Sequence, residues 1–190
     1  MEAFSDGVLA IILTIMVFEM DPPKGATLEA LKEVRHQFVT YLLSFVIIGV
    51  YWNNHHHLLQ SAHRVNGRIL LANLHLLFWL SLVPYTTNWV GDTQFAEIPV
   101  VAYGVVFLGA AIAYYLLTHS LISHHGKESE LARAVGDDWK GKVSLLTYAA
   151  GTVIAIWLPK IAFALFAAIA VLWFIPDRRI ERVLEGKADR

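Results

Sequence analysis

The 190-residue chain is 56% hydrophobic and only 16% charged, with a mean hydropathy of +0.51, which is too apolar and too sparsely charged for an ordinary soluble domain. Its formal net charge of −1 decides nothing about partners, because in a membrane protein the distribution of charge matters more than its sum. Cysteine is absent, which excludes disulfide frameworks, thiolate metal sites and cysteine nucleophiles; the long apolar blocks point to an all-α membrane protein, one domain covering 1–190.

The first apolar block predicts a span from Phe4 to Met20. It lacks a basic flank and a small-residue cleavage site, so it reads as a retained span rather than a signal peptide. On a helix, Gly7, Ile11, Thr14 and Phe18 share one stripe, since offsets of three and four residues return to the same face. Asp6 points roughly 100° away from that stripe. An apolar stripe broken by one hydroxyl fits a pore wall, and the carboxylate beside it fits a docking group. Asp21-Pro22-Pro23-Lys24-Gly25 ends the span.

Residues 26–36 mix leucines with Glu29, Lys32, Glu33 and Arg35, the pattern of a short amphipathic helix at the membrane surface. A second span is expected over 37–58, closing on Tyr51-Trp52-Asn53-Asn54-His55-His56-His57. A basic connection at 61–68 leads to a third span over 69–89, with Asn73 and His75 in its first two turns. Pro84 should kink or terminate it, and Trp89 supplies an interfacial anchor. After a loop at 91–99 comes a fourth span over 100–122, with Gly104, Gly109, Ala110, Ala111 and Ala113 as points of close helix approach. A polar stretch over 123–142 precedes a fifth span at 143–158. A tight Pro159-Lys160 turn then leads to a sixth at 161–175, ended by Pro176-Asp177-Arg178-Arg179.

Six spans put both termini on one side, and that side carries eleven Lys and Arg against four on the other. The positive-inside bias places both termini in the cytoplasm of a multi-pass protein of the inner or plasma membrane. Asp6 and the triple histidine then lie at cytoplasmic helix ends.

Adjacent residues of His55-His56-His57 point about 100° apart and cannot all ligate one ion on an intact helix, so no metal site is expected from the triplet, and no cofactor. Some of the histidines there, with Asn53 and Asn54, are expected to satisfy buried polar groups, and the rest to face water. Asp6 either is an acid favoured by the helix dipole in the first turn, or bonds across to histidine or asparagine of spans two and three, and the two readings are compatible. His75, deeper in an apolar span, needs a partner such as Asp6 or an asparagine. Thr14 either bonds back to its own helix or offers a hydroxyl layer to a passing cation. Phosphate-binding glycine loops, zinc-protease helices, the usual carbonyl filter and intramembrane carboxylate pairs are all missing, and the spans supply no nucleophile for an enzyme.

Phe4-Ser5-Asp6-Gly7 with its apolar continuation, together with Tyr51-Trp52-Asn53-Asn54-His55-His56, resembles the prokaryotic branch of the transmembrane protein 175 family over nearly the whole chain. The resemblance implies a potassium-favouring cation leak channel, a homotetramer of six-span subunits whose first helices line the pore. It puts Ile11 at the apolar constriction, Thr14 at the hydroxyl layer and Phe18 at the next apolar layer, where leucine is usual. The family's motif begins with an arginine four residues before the phenylalanine, a place that precedes Met1. Gly7, Ile11, Thr14 and Phe18 are therefore expected to line the pore, and Phe4, Ser5, Asp6, Asn54, His55 and His75 to hold its cytoplasmic end. The expected partners are potassium and other monovalent cations and the lipid bilayer, with no nucleic acid. The alternative is a proton-coupled or metal-ion transporter built on the intramembrane histidines.

Overall fold

The computed structural model describes residues 1–62, 64–126, 128–136 and 138–174. The described residues form nine helices and no strand. Helix α1 (Glu2–Phe18) is 17 residues long, about 25 Å at 1.5 Å per residue, slightly under the roughly 30 Å of a bilayer's hydrocarbon. It stops at Glu19, short of the Asp21-Pro22-Pro23 breaker. The predicted surface helix is reduced to α2 (Leu28–Glu33), capped by the Thr27 hydroxyl, which accepts from the Ala30 amide at 3.2 Å.

The long α3 (Arg35–Gln60) carries the second expected span and the histidine triplet within one helix. The third expected span is divided into α4 (Gly67–Ser81) and α5 (Val83–Asp92), with the break at Leu82 and Pro84 in the first turn of α5. A proline has no N–H for the carbonyl four residues back and its ring crowds that carbonyl. The continuous helix therefore fails before the proline rather than at it.

Helix continues to Asp92, so the predicted 91–99 loop shrinks to residues 93–96 before α6 (Glu97–His125). Within it Gln94 and Phe95 adopt φ of +52° and +66°, a conformation that costs a side-chain-bearing residue energy unless neighbours fix it. Phe95 is fixed by its ring, 4.8 Å from Phe163 and edge-on to His36 at 5.4 Å. The expected polar stretch contains a short α7 (Glu130–Val135), capped by Ser129. It is followed by α8 (Trp139–Ile154) and α9 (Pro159–Phe174). Pro159, expected in a turn, opens α9, where its missing N–H would be unpaired in any case.

Helix α6 is the centre of the bundle, packed on α4, α5, α8 and α9, while α1 lies across α3, α4 and α5. Tyr103 and Phe107 of α6 stack with Tyr148 of α8 and Phe166 of α9 in a solvent-free aromatic core. Gly109 lets α6 approach α4 so closely that a β-carbon there would overlap the Trp79 indole. The core also holds hydroxyls: Thr87 of α5 donates to Ser44 of α3 at 2.7 Å, and Ser44 pairs with the Tyr103 hydroxyl at 3.0 Å.

The six expected spans fall on α1, α3, α4 with α5, α6, α8 and α9. Among the described residues, two stretches are long and apolar enough to cross a membrane by length and composition, 67–92 and 97–125. The last residue expected in span six, the stop at Pro176-Asp177-Arg178-Arg179, and the basic residues Lys127, Arg182, Lys187 and Arg190 of the charge comparison lie outside the described residues.

A candidate pore face and its polar anchor

Helix α1 has two apolar faces that meet different surroundings. One face, Leu9, Ile12 and Met16 with Ser5 below them, is buried against the bundle, each residue at most 4% exposed. The other, with Phe4, Gly7, Ile11, Thr14 and Phe18, is uncovered: Ile11 is 58% and Phe18 86% exposed, and a β-carbon on Gly7 would meet nothing within 4 Å. The four residues of the predicted stripe thus share the face that the subunit leaves open.

Thr14 bonds back to its own helix, donating to the Ala10 carbonyl at 3.1 Å and the Ile11 carbonyl at 2.9 Å. Since the hydroxyl proton is held by the helix, the oxygen's lone pairs remain on the outward side. The back-bond and an acceptor layer are therefore compatible in one side chain.

The start of α1 is tied down by a buried chain of polar groups. His55 Nε2 donates to Asn73 Oδ1 at 2.7 Å, Asn73 Nδ2 donates to Ser5 Oγ at 3.0 Å, and Ser5 donates to the Met1 carbonyl at 3.2 Å. All three side chains are at most 2% exposed. The chain links α1, α3 and α4, and its direction fixes the tautomer of His55 with the proton on Nε2. Asp6 is bound beside it, by the Trp52 indole N–H donating to Oδ1 at 3.0 Å.

Of the residues expected to hold this end, Ser5 and His55 are in the chain and Asp6 is adjacent to it. Asp6 pairs with a tryptophan, where histidine or asparagine was expected. The other three are elsewhere. Phe4 is 59% exposed. Asn54 donates to the Val50 carbonyl of its own helix at 2.8 Å and lines a cleft with Tyr51, Tyr114 and Tyr148. His75 is exposed and accepts from Trp79 Nε1 at 3.0 Å, so its partner lies on its own helix rather than at Asp6 or an asparagine. The sequence reading missed Asn73 and Trp52. The signal for Asn73 was present: 69, 73, 76 and 80 repeat at helical spacing on the buried face of α4, and His75 falls off that face.

Two shifted ionisable groups lie outside the expected spans. Burial, aided by Arg35 and Lys160, lowers the His36 imidazole below its ordinary value. Burial raises the Asp138 carboxyl, partly offset by the Gly141 amide, His119 and Lys142.

This is an all-helical bundle whose first helix leaves one apolar face uncovered. A family model described as the endosomal/lysosomal potassium channel TMEM175 matches residues 1–84. A protein of Chryseobacterium sp. (strain P1-3) named as a potassium channel is 46% identical over 185 residues, 97% of this chain and 96% of that protein. The chicken protein named endosomal/lysosomal proton channel TMEM175 is 29% identical over 154 residues, 72% of this chain but 31% of its own length. The crystal structure of a lysosomal potassium-selective channel TMEM175 homologue from Chamaesiphon minutus shares the fold, with a TM-score of 0.80 at 23% identity over 92% of this chain and 94% of that one. The chain belongs to the TMEM175 family of ion channels.

Proposed function

We propose that the protein is a potassium-favouring cation leak channel, a homotetramer of six-span subunits with both termini in the cytoplasm and α1 of each subunit lining the pore. The observation that carries the reading is the open face of α1, where Gly7, Ile11, Thr14 and Phe18 lie uncovered while the opposite face is buried. In a ring of subunits these positions become rings of side chains. Ile11 and Phe18 set the width and close the path by dewetting, and the Thr14 oxygens replace part of the ion's hydration. The polar anchor at Ser5, Asn73 and His55 holds the cytoplasmic end of α1 against α3 and α4. The eleven-to-four distribution of basic residues supports the orientation, and the name of the bacterial relative supports potassium as the permeant ion.

Substitution Ile11→Asn is expected to raise cation flux into reconstituted vesicles and to weaken preference for potassium over sodium; unchanged flux and preference would defeat the assignment. The vertebrate relatives are named proton channels, so proton flux belongs in the same assay. A transporter built on His75 is disfavoured by its bond to Trp79 within α4. A flux that saturates with substrate and vanishes in His75→Ala would restore it.

A further inference from the structure

Three side chains converge at the start of α1, of which the conduction reading uses only Asp6. Glu2 and Asp6 are one turn apart on α1, so their carboxylates share a face. His56 of α3 faces them, with Nδ1 3.1 Å from Glu2 Oε1. One ligand atom from each of the three lies within 4.8 Å of the other two.

The neighbours hold this arrangement in place. Trp52, one turn before His56, stacks on its imidazole at 5.7 Å and 25° and at the same time donates to Asp6. A single indole therefore orients two of the three groups. Gln60, one turn after His56, meets its Nε2 at 2.8 Å. With the amide turned so that its oxygen accepts from Nε2–H, the Nδ1 lone pair is left for a ligand, the outer-sphere support that metal-binding histidines use. That Nδ1 is shut off from solvent and makes no aligned hydrogen bond. Its approach to Glu2 sets a carboxylate oxygen 3.1 Å from that nitrogen, and an ion bound between them takes the place of any proton they share.

Ligands about 2.0–2.2 Å from a tetrahedral zinc ion stand roughly 3.3–3.5 Å apart, close to the separation of His56 and Glu2. One imidazole with two carboxylates suits a borderline divalent ion, whereas calcium, magnesium and the alkali ions favour all-oxygen shells. We propose that Glu2, Asp6 and His56 form a binding site for a divalent transition-metal ion of the zinc type. The ion ties the start of α1 to α3, with water in its fourth position. The proposal does not depend on which ion the channel conducts.

The test is zinc binding to the full chain in detergent, by calorimetric titration and by anomalous diffraction at the zinc edge. One zinc per chain is expected, with a peak within about 2.5 Å of all three groups. His56→Gln and Glu2→Gln should each weaken binding at least about tenfold, with melting curves in zinc-free buffer showing that each variant is folded. Glu2→Gln, at a half-exposed position, keeps the test decisive if His56→Gln does not fold. Unchanged affinity in the folded variants, or a zinc peak confined to His124 and His125, would overturn the site.

Discussion

Asn73 makes two bonds that few other side chains could make together: its carbonyl oxygen accepts from His55 while its amide donates to Ser5. Asn73→Leu is close in shape but leaves the His55 N–H buried and unpaired, at a cost of about 1–3 kcal/mol, and removes the donor to Ser5, which keeps only its own bond to the Met1 carbonyl. His75→Ala, two residues on and exposed, should shift stability by no more than about 0.5 kcal/mol. Thermal unfolding of the two variants in detergent tests the contrast, and equal losses would mean that the anchor is misassigned. The sequence showed both residues as polar groups in an apolar span, and only the spacing of 69, 73, 76 and 80 separated them by face; a histidine satisfied by an indole one turn away needs no burial. Asp138 gives a pH-dependent case. Its raised carboxyl binds a proton more tightly in the folded chain than in the unfolded one, so its contribution favours the fold at low pH and is lost as pH rises through the shifted value. Asp138→Asn retains an acceptor for the Gly141 amide without the buried charge. It should raise the melting temperature near about pH 7 and change it little near about pH 4.

At the scale of the helix, α1 shows how much a periodicity argument delivers. Spacing alone grouped Gly7, Ile11, Thr14 and Phe18, and the structure leaves that group on one uncovered face. Spacing did not reveal the second apolar face, Leu9, Ile12 and Met16, as the docking side, because both faces are equally hydrophobic. Similarly, Pro84 marked a disruption in the third span, but the break falls at Leu82 because proline has no N–H to offer the carbonyl one turn upstream. The small residues of α6 marked close approach without naming the partner, which is the Trp79 indole at Gly109. Gly109→Ala should cost about 1–3 kcal/mol through overpacking, read as a lower melting temperature. An unchanged value would mean that α4 and α6 part easily.

For the whole molecule, the packing of one chain accounts for its interior and leaves α1's outer face among the apolar surfaces that it does not cover. Ile11 and Phe18 are uncovered on the same helix that carries a fully buried polar anchor. The proposed ring of subunits would put that face on the conduction path, and one chain's sequence cannot test it, since such contacts lie between copies. The absence of native cysteine makes the decisive measurement clean. Single cysteines at Ile11, Thr14 and Phe18, and at the bundle-exterior residues Leu71 and Phe78, are treated with a small cationic thiosulfonate while potassium flux into vesicles is followed. Modification at Ile11→Cys, Thr14→Cys and Phe18→Cys should block flux, and modification at Leu71→Cys and Phe78→Cys should not. Undiminished flux through the modified α1 variants would contradict a pore lined by α1.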